Sequence, residues 1–283
     1  FYSNTRMKKN IVFSSVFILI CANIFGQSNI LNANNPAEIG IQNLDQIQSD
    51  HDSFLEYDYI DDRDILWSRI VYEKIDLNER LNFPLLFPIN DETYERNRKS
   101  LWRVLKENIV NQNITKLYFN RNDNFKDPMT YKDVMEVIYL NEVINGVAMK
   151  PEVLKSIDIS AYRIKGMWYF DKRQGEMRYR LLGIMPVGKN IKDDDGKNNT
   201  DLFWIWYPSI RKILHKELVF NDINNANRIS FDQLLVSRRF SSYIYKEDNI
   251  YGDRSIKDYK KPGLESILES ERIKKEILDF EQD

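Results

Sequence analysis

Residues able to carry out chemistry are sparse in this chain of 283 residues. Only two histidines are present, His51 and His215. Neither has a second histidine three or four positions away, the spacing that places two metal ligands on one side of a helix. The single cysteine, Cys21, lies in an apolar stretch near the beginning of the chain. The sequence therefore predicts no metal site, no cofactor and no thiol nucleophile.

Acidic residues are abundant, and one cluster of them invites a chemical interpretation. Three aspartates precede Gly196, as in a calcium-binding loop, but Ile191 and Leu202 stand where such a loop needs an acid and a glutamate. We therefore expect a polar turn. Neither Gly-x-Ser-x-Gly nor a glycine-rich phosphate loop occurs, so no catalytic residue is assigned. A glycosidase-like pair of carboxylates stays open, because such pairs lack a sequence signature.

A basic and aromatic stretch at residues 162–180 is the strongest candidate for function. It contains six basic and two acidic residues, interleaved with tyrosine, tryptophan and phenylalanine. Aromatic residues and arginine are enriched at protein interfaces. We therefore predict a partner-binding surface formed by Arg163, Lys165, Tyr169, Arg173, Arg178 and Arg180. The alternative is a sheet with a solvated basic face. Nucleic acid is a poor partner, because the chain has a net charge of −2.

A β-hairpin is the element that would position these side chains. Apolar and polar residues alternate along 162–170 and along 176–181, as in strands with one buried side. Residues 171–175 between them are polar and end in Gly175, which suits a turn. The same side of the first strand carries Tyr162, Ile164, Trp168 and Phe170. The apolar run 202–207, ended by Pro208, predicts a strand covered on both faces, which the polar loop 188–200 joins to the hairpin.

Shorter signals predict the elements around the hairpin. Residues 101–110 have helical spacing, and Thr130 with Asp133 and Ser230 with Gln233 resemble the capping boxes of two further helices. Residues 114–119 and 243–245 favour strands, whereas 65–88 suits either a helix or a strand. Residues 264–280 predict a helix that is apolar on two sides. Such a helix is either buried between elements or contacts a partner as well as its own domain.

These elements together predict an α+β fold. We expect a small antiparallel sheet built around the central hairpin, with packing helices and a C-terminal helix. A chain of this length can bury a sizeable core without disulfides or metals.

The first 60 residues differ in composition from the rest. Residues 1–6 precede Met7, a basic start and an apolar run at 11–20, which together predict a signal peptide ending near residue 27. Residues 28–60 are rich in Asn and Asp, and eight acids lie between residues 45 and 64. We expect an extended linker; the alternative is an acidic arm that docks on a basic partner surface. Residues 61–283 would form one domain.

Five stretches of this domain are distinctive as a set: 75–85, 163–176, 181–187, 202–208 and 239–247. The stretch around Trp168, which runs Gly-Met-Trp-Tyr-Phe-Asp-Lys-Arg-Gln-Gly-Glu, is the most specific. Together they resemble the GldN/PorN family of gliding motility proteins, components of the type IX secretion system of Bacteroidetes. The resemblance extends over residues 61–280.

The resemblance implies a periplasmic structural protein that is not an enzyme. Family members self-associate in a ring with an outer-membrane lipoprotein of the GldK/PorK type, and they contact an inner-membrane shaft protein of the GldM/PorM type. The family carries over no catalytic, metal or cofactor residues, and it implies neither nucleic acid nor a small-molecule substrate.

Two other functions compete with this interpretation. A periplasmic hydrolase that uses two carboxylates predicts a deep acidic pocket. A polysaccharide-binding module predicts a platform of exposed tryptophans, whereas we expect Trp204 and Trp206 to be largely buried.

Overall fold

The computed structural model describes residues 54–91, 99–121, 123–140, 143–144, 147–148, 152–191, 198–219, 229–250 and 252–282. The predictions for the signal peptide, for Cys21 and His51, for arm residues 28–53 and for the polar turn at 193–196 lie outside these residues.

An antiparallel sheet of three long and four short strands forms the centre of the described domain. Its strands are β1 (Ile65–Asp76), β2 (Leu117–Phe119), β7 (Ile159–Asp171), β8 (Glu176–Lys189), β9 (Asn199–Asp201), β10 (Phe203–Trp206) and β11 (Tyr243–Glu247). The order across the sheet is β11-β1-β7-β8-β10-β2, and β9 pairs with β8. Two small ladders join β3 (Tyr139–Leu140) to β6 (Glu152–Val153) and β4 (Val143–Ile144) to β5 (Val147–Ala148).

Six α-helices accompany the sheet in the described residues. They are α1 (Phe83–Leu86), α2 (Leu101–Val110), α3 (Tyr131–Ile138), α4 (Tyr207–Lys216), α5 (Phe231–Val236) and α6 (Leu264–Gln282). Thr130 caps α3 in a complete capping box with Asp133, and Ser230 accepts a hydrogen bond from the Gln233 backbone at the start of α5. The predicted α+β class, with its antiparallel sheet and C-terminal helix, is confirmed.

The predicted hairpin is confirmed as β7 and β8. Gly175 closes the turn with φ of +66°, a conformation that suits glycine. The strands pair from Asp171 and Glu176 back to Ile159 and Gly188. One residue of β8, Leu182, has no partner on β7, because Gly166 pairs with Leu181 and Lys165 pairs with Gly183. This bulge shifts the alternation of β8 by one position beyond Leu182.

Two predicted strands are present but shorter than predicted. The strand predicted up to residue 207 ends at Trp206, and Pro208 lies inside the first turn of α4. Proline fits there because the first N–H groups of a helix have no intrahelical acceptor, so nothing is lost. The strand predicted at 114–119 is confined to Leu117–Phe119. The ambiguous stretch 65–88 contains the long strand β1, followed by the short α1.

The two faces of the sheet have different covers. On one face, Tyr162 and Ile164 of β7 join the main core, which includes residues of α2, α4 and α5. On the other face, Tyr72, Met185 and Trp204 form a smaller buried cluster. Trp204 is fully buried, as expected, but Trp206 is only half-buried.

Helix α6 covers the β11 edge of the sheet. The Ile244 backbone N–H donates to the Ser270 hydroxyl (2.9 Å), and the Lys274 ammonium donates to the Ser242 carbonyl (3.0 Å). These bonds use backbone groups that would otherwise be offered to another strand. Of the helices in the described ranges, none combines the length and apolar character needed to cross a membrane.

Candidate functional site

The register of the hairpin brings the predicted partner-binding residues of its strands to one side of the sheet. Tyr169 pairs directly with Arg178, and Lys165 lies four residues before Tyr169 on the same strand. Arg163 and Arg180 belong to this side by the same alternation, and Arg173 lies in the turn. We call this surface the basic face and define it by Arg163, Lys165, Tyr169, Arg173, Arg178 and Arg180.

An acidic segment of the same chain, residues 54–64, lies against the turn end of the basic face. We call it the arm segment. Arg178 forms an ion pair with Asp58 (3.3 Å), and Arg173 forms one with Asp64 (3.0 Å). The Arg180 guanidinium donates to the Asp58 backbone carbonyl (2.7 Å). Three of the predicted arginines are therefore engaged by the arm segment of the same chain.

Aromatic side chains of the arm segment stack on arginines. The Tyr57 ring lies between Arg180 and Arg211, with ring-to-guanidinium distances of 4.9 and 4.2 Å. Phe54 lies 5.2 Å from Arg211 on α4. The Tyr57 hydroxyl donates to the Leu181 carbonyl (3.3 Å), and burial raises the pKa of Tyr57 to about 12. The arm segment thus contacts arginines in two ways: its acids form ion pairs with them, and its aromatic rings stack on them by cation–π attraction.

The arm segment lies along a free edge of strand β8. In the described part of the chain, no strand pairs with the outer side of residues 176–182, since β10 joins β8 only at Gly183 and Ile184. The arm segment contacts this free edge through Tyr57 and Leu181. Residues 54–64 thus dock on a basic surface, as in the alternative to a solvated linker. The surface on which they dock, however, belongs to the same chain.

The opposite end of the basic face opens into a groove of about 930 Å³. Its walls come from β1, β11, the loop after β2 and the start of α6, and its lining includes Arg163, Met185, Tyr245 and Ile267. The sequence did not predict this groove, because its four walls are distant along the chain and meet only through the β1–β7 and β1–β11 pairings.

Ion pairs hold three of the four described acids that line the groove, namely Asp123, Asp201 and Glu271; the fourth acid is Glu79. Arg163 pairs with Asp201 (2.9 Å) and lies 4.8 Å from the Tyr245 ring. Burial raises the pKa of the Asp201 carboxyl, and Arg163 opposes that rise. Asp123 pairs with Lys246 (2.7 Å). Most acids of this groove are therefore paired with cations, whereas a carboxylate hydrolase predicts a deep acidic pocket.

Two lysines at the groove carry positive charge that faces outward. Lys74 and Lys257 both line it, and among the ion pairs of the described residues none includes either one. Both lie close enough to Asp201 to influence its carboxyl. The groove therefore combines apolar walls with a cationic rim, the chemistry that suits a protein segment bearing acidic side chains.

Two members of the basic face are buried beneath it. Lys165 is 6% exposed, and its ammonium donates to the Asp123 carbonyl (2.6 Å) between the rings of Tyr72 and Phe125. Burial lowers the pKa of Lys165, and the charge of Asp123 partly offsets this. Tyr169 is 3% exposed. These two side chains support the surface from below, while the arginines reach its outside.

The described residues contain no cluster of three His, Cys, Asp or Glu side chains able to hold a metal ion. His215 lies on α4, with its ring 6.2 Å from that of Phe54. Its environment is that of an aromatic contact with the arm segment.

Comparison with known protein families identifies the family to which the chain is similar. A family model described as "Gliding motility associated protein GldN" matches residues 60–283. No curated protein matches the chain. The matched region includes the hairpin, the groove and every helix named above.

Proposed function

Because this chain belongs to the GldN family, whose members are structural components of gliding motility and type IX secretion, we propose that it is a non-enzymatic subunit of that machinery in the periplasm. It would form a ring with copies of itself and an outer-membrane lipoprotein of the GldK/PorK type, and it would contact a shaft protein of the GldM/PorM type. The observation that carries the proposal is the family match over residues 60–283.

The basic face is our proposed contact surface for the lipoprotein. Its groove end presents Arg163, Lys74 and Lys257 beside Tyr243 and Tyr245, and arginine and tyrosine are the residues on which interfaces most depend. Stacking on Tyr245 and pairing with Asp201 hold Arg163 in place before a partner arrives, which limits the entropy lost on binding.

The turn end would contribute in a different way. Its arginines Arg173, Arg178 and Arg180 are already held by the arm segment, so a partner would meet arm and arginines as one composite surface. Tyr59 of the arm segment is 84% exposed and stands ready for such a contact.

The first prediction concerns the groove. Arg163→Glu combined with Lys257→Glu reverses two positive charges at its rim, and we expect recovery of the lipoprotein in co-purification to fall at least about tenfold. Tyr243→Ala, at a side chain 39% exposed in the same groove, tests the contact without a change of charge.

Lys132→Glu is the matched control, because this α3 lysine has a side chain 85% exposed and lies outside the groove. Its recovery should equal that of the unmodified protein. Undiminished recovery with both groove variants, each shown to be folded by its thermal midpoint, would remove the groove from the lipoprotein interface.

A further inference from the structure

The inner side of α6 is fixed to its own domain. Ile273 is fully buried and Ile277 is 3% exposed, and both pack with Val71 and Ile244 of the sheet. Further along the helix, the Phe280 ring stacks on Trp67 at 4.9 Å. Ser270 also accepts a hydrogen bond from the Ile244 N–H, and Lys274 donates one to the Ser242 carbonyl. Together these contacts set which side of the helix faces outward.

The outer side of α6 carries aliphatic side chains that remain exposed. Leu264, Ile267, Leu268 and Leu278 are 71%, 58%, 59% and 52% exposed. At 100° per residue they fall within one stripe of the helix, opposite Ile273 and Ile277. An aliphatic stripe of this size on an otherwise charged helix marks a contact surface. Of the two apolar sides that the sequence predicts for this helix, one therefore packs on the described domain and the other is exposed.

Two charged residues lie in the middle of this stripe, and their order selects a partner. Glu271 and Lys275 are both exposed and lie between Leu268 and Leu278. Glu271 also forms an ion pair with Lys274 of the same helix (3.1 Å) and lines the groove. When two copies of a helix pack antiparallel, residues whose numbers have a constant sum face each other. A sum of 546 places Leu268 opposite Leu278 and Glu271 opposite Lys275, each twice by symmetry.

We propose that the outer side of α6 pairs antiparallel with the same side of a second copy of this chain, about a twofold axis level with Ile273. In a parallel pair in register, Glu271 would face Glu271 and Lys275 would face Lys275, and both contacts are repulsive. The antiparallel pair instead forms two attractive contacts flanked by leucines. A surface that complements itself in this way is what a twofold contact requires.

The size of the contact sets its strength. The span from Leu264 to Leu278 is roughly 21 Å at 1.5 Å per residue, so one helix pair buries much less than the roughly 800 Å² per partner of a stable complex. We therefore expect a weak dimer, with a dissociation constant on the order of 100 μM. In an assembly that holds copies side by side, effective concentrations in the millimolar range would keep it closed.

This inference rests on the self-association proposed above and adds one pairwise contact to it; a twofold contact joins only two copies, so closing a ring needs a second, different contact. The pairing is tested on the purified chain without the lipoprotein. Sedimentation velocity from about 10 μM to 1 mM at low salt should show a reversible monomer–dimer equilibrium. Leu268→Glu with Leu278→Glu should weaken dimerisation at least about tenfold. Ile157→Glu, which also places a charge at an aliphatic position 62% exposed, should leave it unchanged.

Charge reversal identifies the antiparallel register. Glu271→Lys alone and Lys275→Glu alone should each weaken the dimer about threefold or more, whereas the double variant should restore it. An equimolar mixture of the two single variants should form heterodimers, because each unlike pair is then attractive again.

Two results would overturn the proposal: a chain that stays monomeric up to 1 mM, or a dimer that the leucine variants leave intact. If the chain is monomeric while the leucine variants lose the lipoprotein in co-purification, the stripe belongs to the lipoprotein. In that case the proposed function stands and self-pairing through α6 does not.

Discussion

Glu73 is a carboxylate buried within the sheet, 1% exposed, at a position where alternation along β1 places an inward side chain. Its two oxygens accept from both terminal nitrogens of Arg238, at 3.0 and 2.6 Å, and the Ser242 hydroxyl donates to it as well. Arg238 has a positive φ of 53° and lies over the rings of Trp168 and Tyr179. One ion pair thus ties β1 to the loop before β11.

Removal of this carboxylate should be costly. Glu73→Ala leaves the Arg238 guanidinium without its anion among aromatic rings, and breaking a buried pair from one side costs roughly 3–5 kcal/mol of the free energy of unfolding. Urea denaturation followed by tryptophan fluorescence measures the loss. A loss below about 1 kcal/mol would show that Arg238 reaches solvent easily. Lys132→Glu on the surface should stay within about 0.5 kcal/mol.

Sequence patterns predicted such residues only in part. Alternation along 162–170 identified which side chains share a side of β7, because that information is local. Nothing in the sequence connects Glu73 with Arg238, which are 165 positions apart, or Arg180 with Tyr57. Six residues were predicted as one surface, and burial of Lys165 and Tyr169 beneath it depends on β1 and the loop at Asp123, which the sequence did not place.

At the scale of elements, the arm segment is held mainly by side chains. Tyr57 occupies the space between two arginines, so Tyr57→Ala with Asp58→Ala removes both the stacking and the ion pair to Arg178. We expect amide hydrogen exchange in residues 55–62 to accelerate at least about tenfold, since local opening then costs little.

Amide hydrogen exchange in the rest of the fold should not change when the arm segment is released. Exchange in β1 and β7 should be unchanged, because their pairing does not involve residues 54–60. Equal protection of the arm segment in the variant and in the unmodified protein would mean that other contacts hold it. Leu55→Ala is the control within the segment, since Leu55 is 84% exposed.

Local signals were the ones that predicted elements correctly. The hairpin turn, the Thr130 capping box and the C-terminal helix each depend on residues a few positions apart. Helix α4 was missed because Pro208 was taken as the end of a strand, although proline also begins helices. The groove needs four distant segments, and such long-range pairing leaves no local pattern to find.

At the scale of the whole molecule, tyrosines whose pKa the fold raises affect how stability depends on pH. Burial is the first cause that raises the pKa of several of them, to about 12 for Tyr57 and upward for the others. The others are Tyr72, Tyr162, Tyr179, Tyr207 and Tyr245. Each has an ordinary pKa of 10.0 when unfolded, so the folded state binds these protons more tightly than the unfolded chain does.

The contribution of these tyrosines to stability should therefore be constant below about pH 10 and fall as the pH rises through 10 towards 12, because only the unfolded chain releases these protons there. The slope is roughly 1.4 kcal/mol per pH unit for each tyrosine that the fold keeps protonated. Urea midpoints measured between pH 8 and pH 11 test this. Tyr57→Phe should make the fall shallower, and a midpoint that does not change above pH 10 would contradict the expectation.

The bonds from α6 to β11 determine what happens when the chain is clipped near Gly263. A domain without α6 would present bare strand backbone at Ser242 and Ile244, a template on which another such strand could add. Proteolytic removal of α6 would then yield subunits that polymerise edge to edge through their strands, and not simply a smaller subunit. If a truncated sample fails to bind its partners, fibril formation is therefore the first explanation to test, before loss of a contact made by α6.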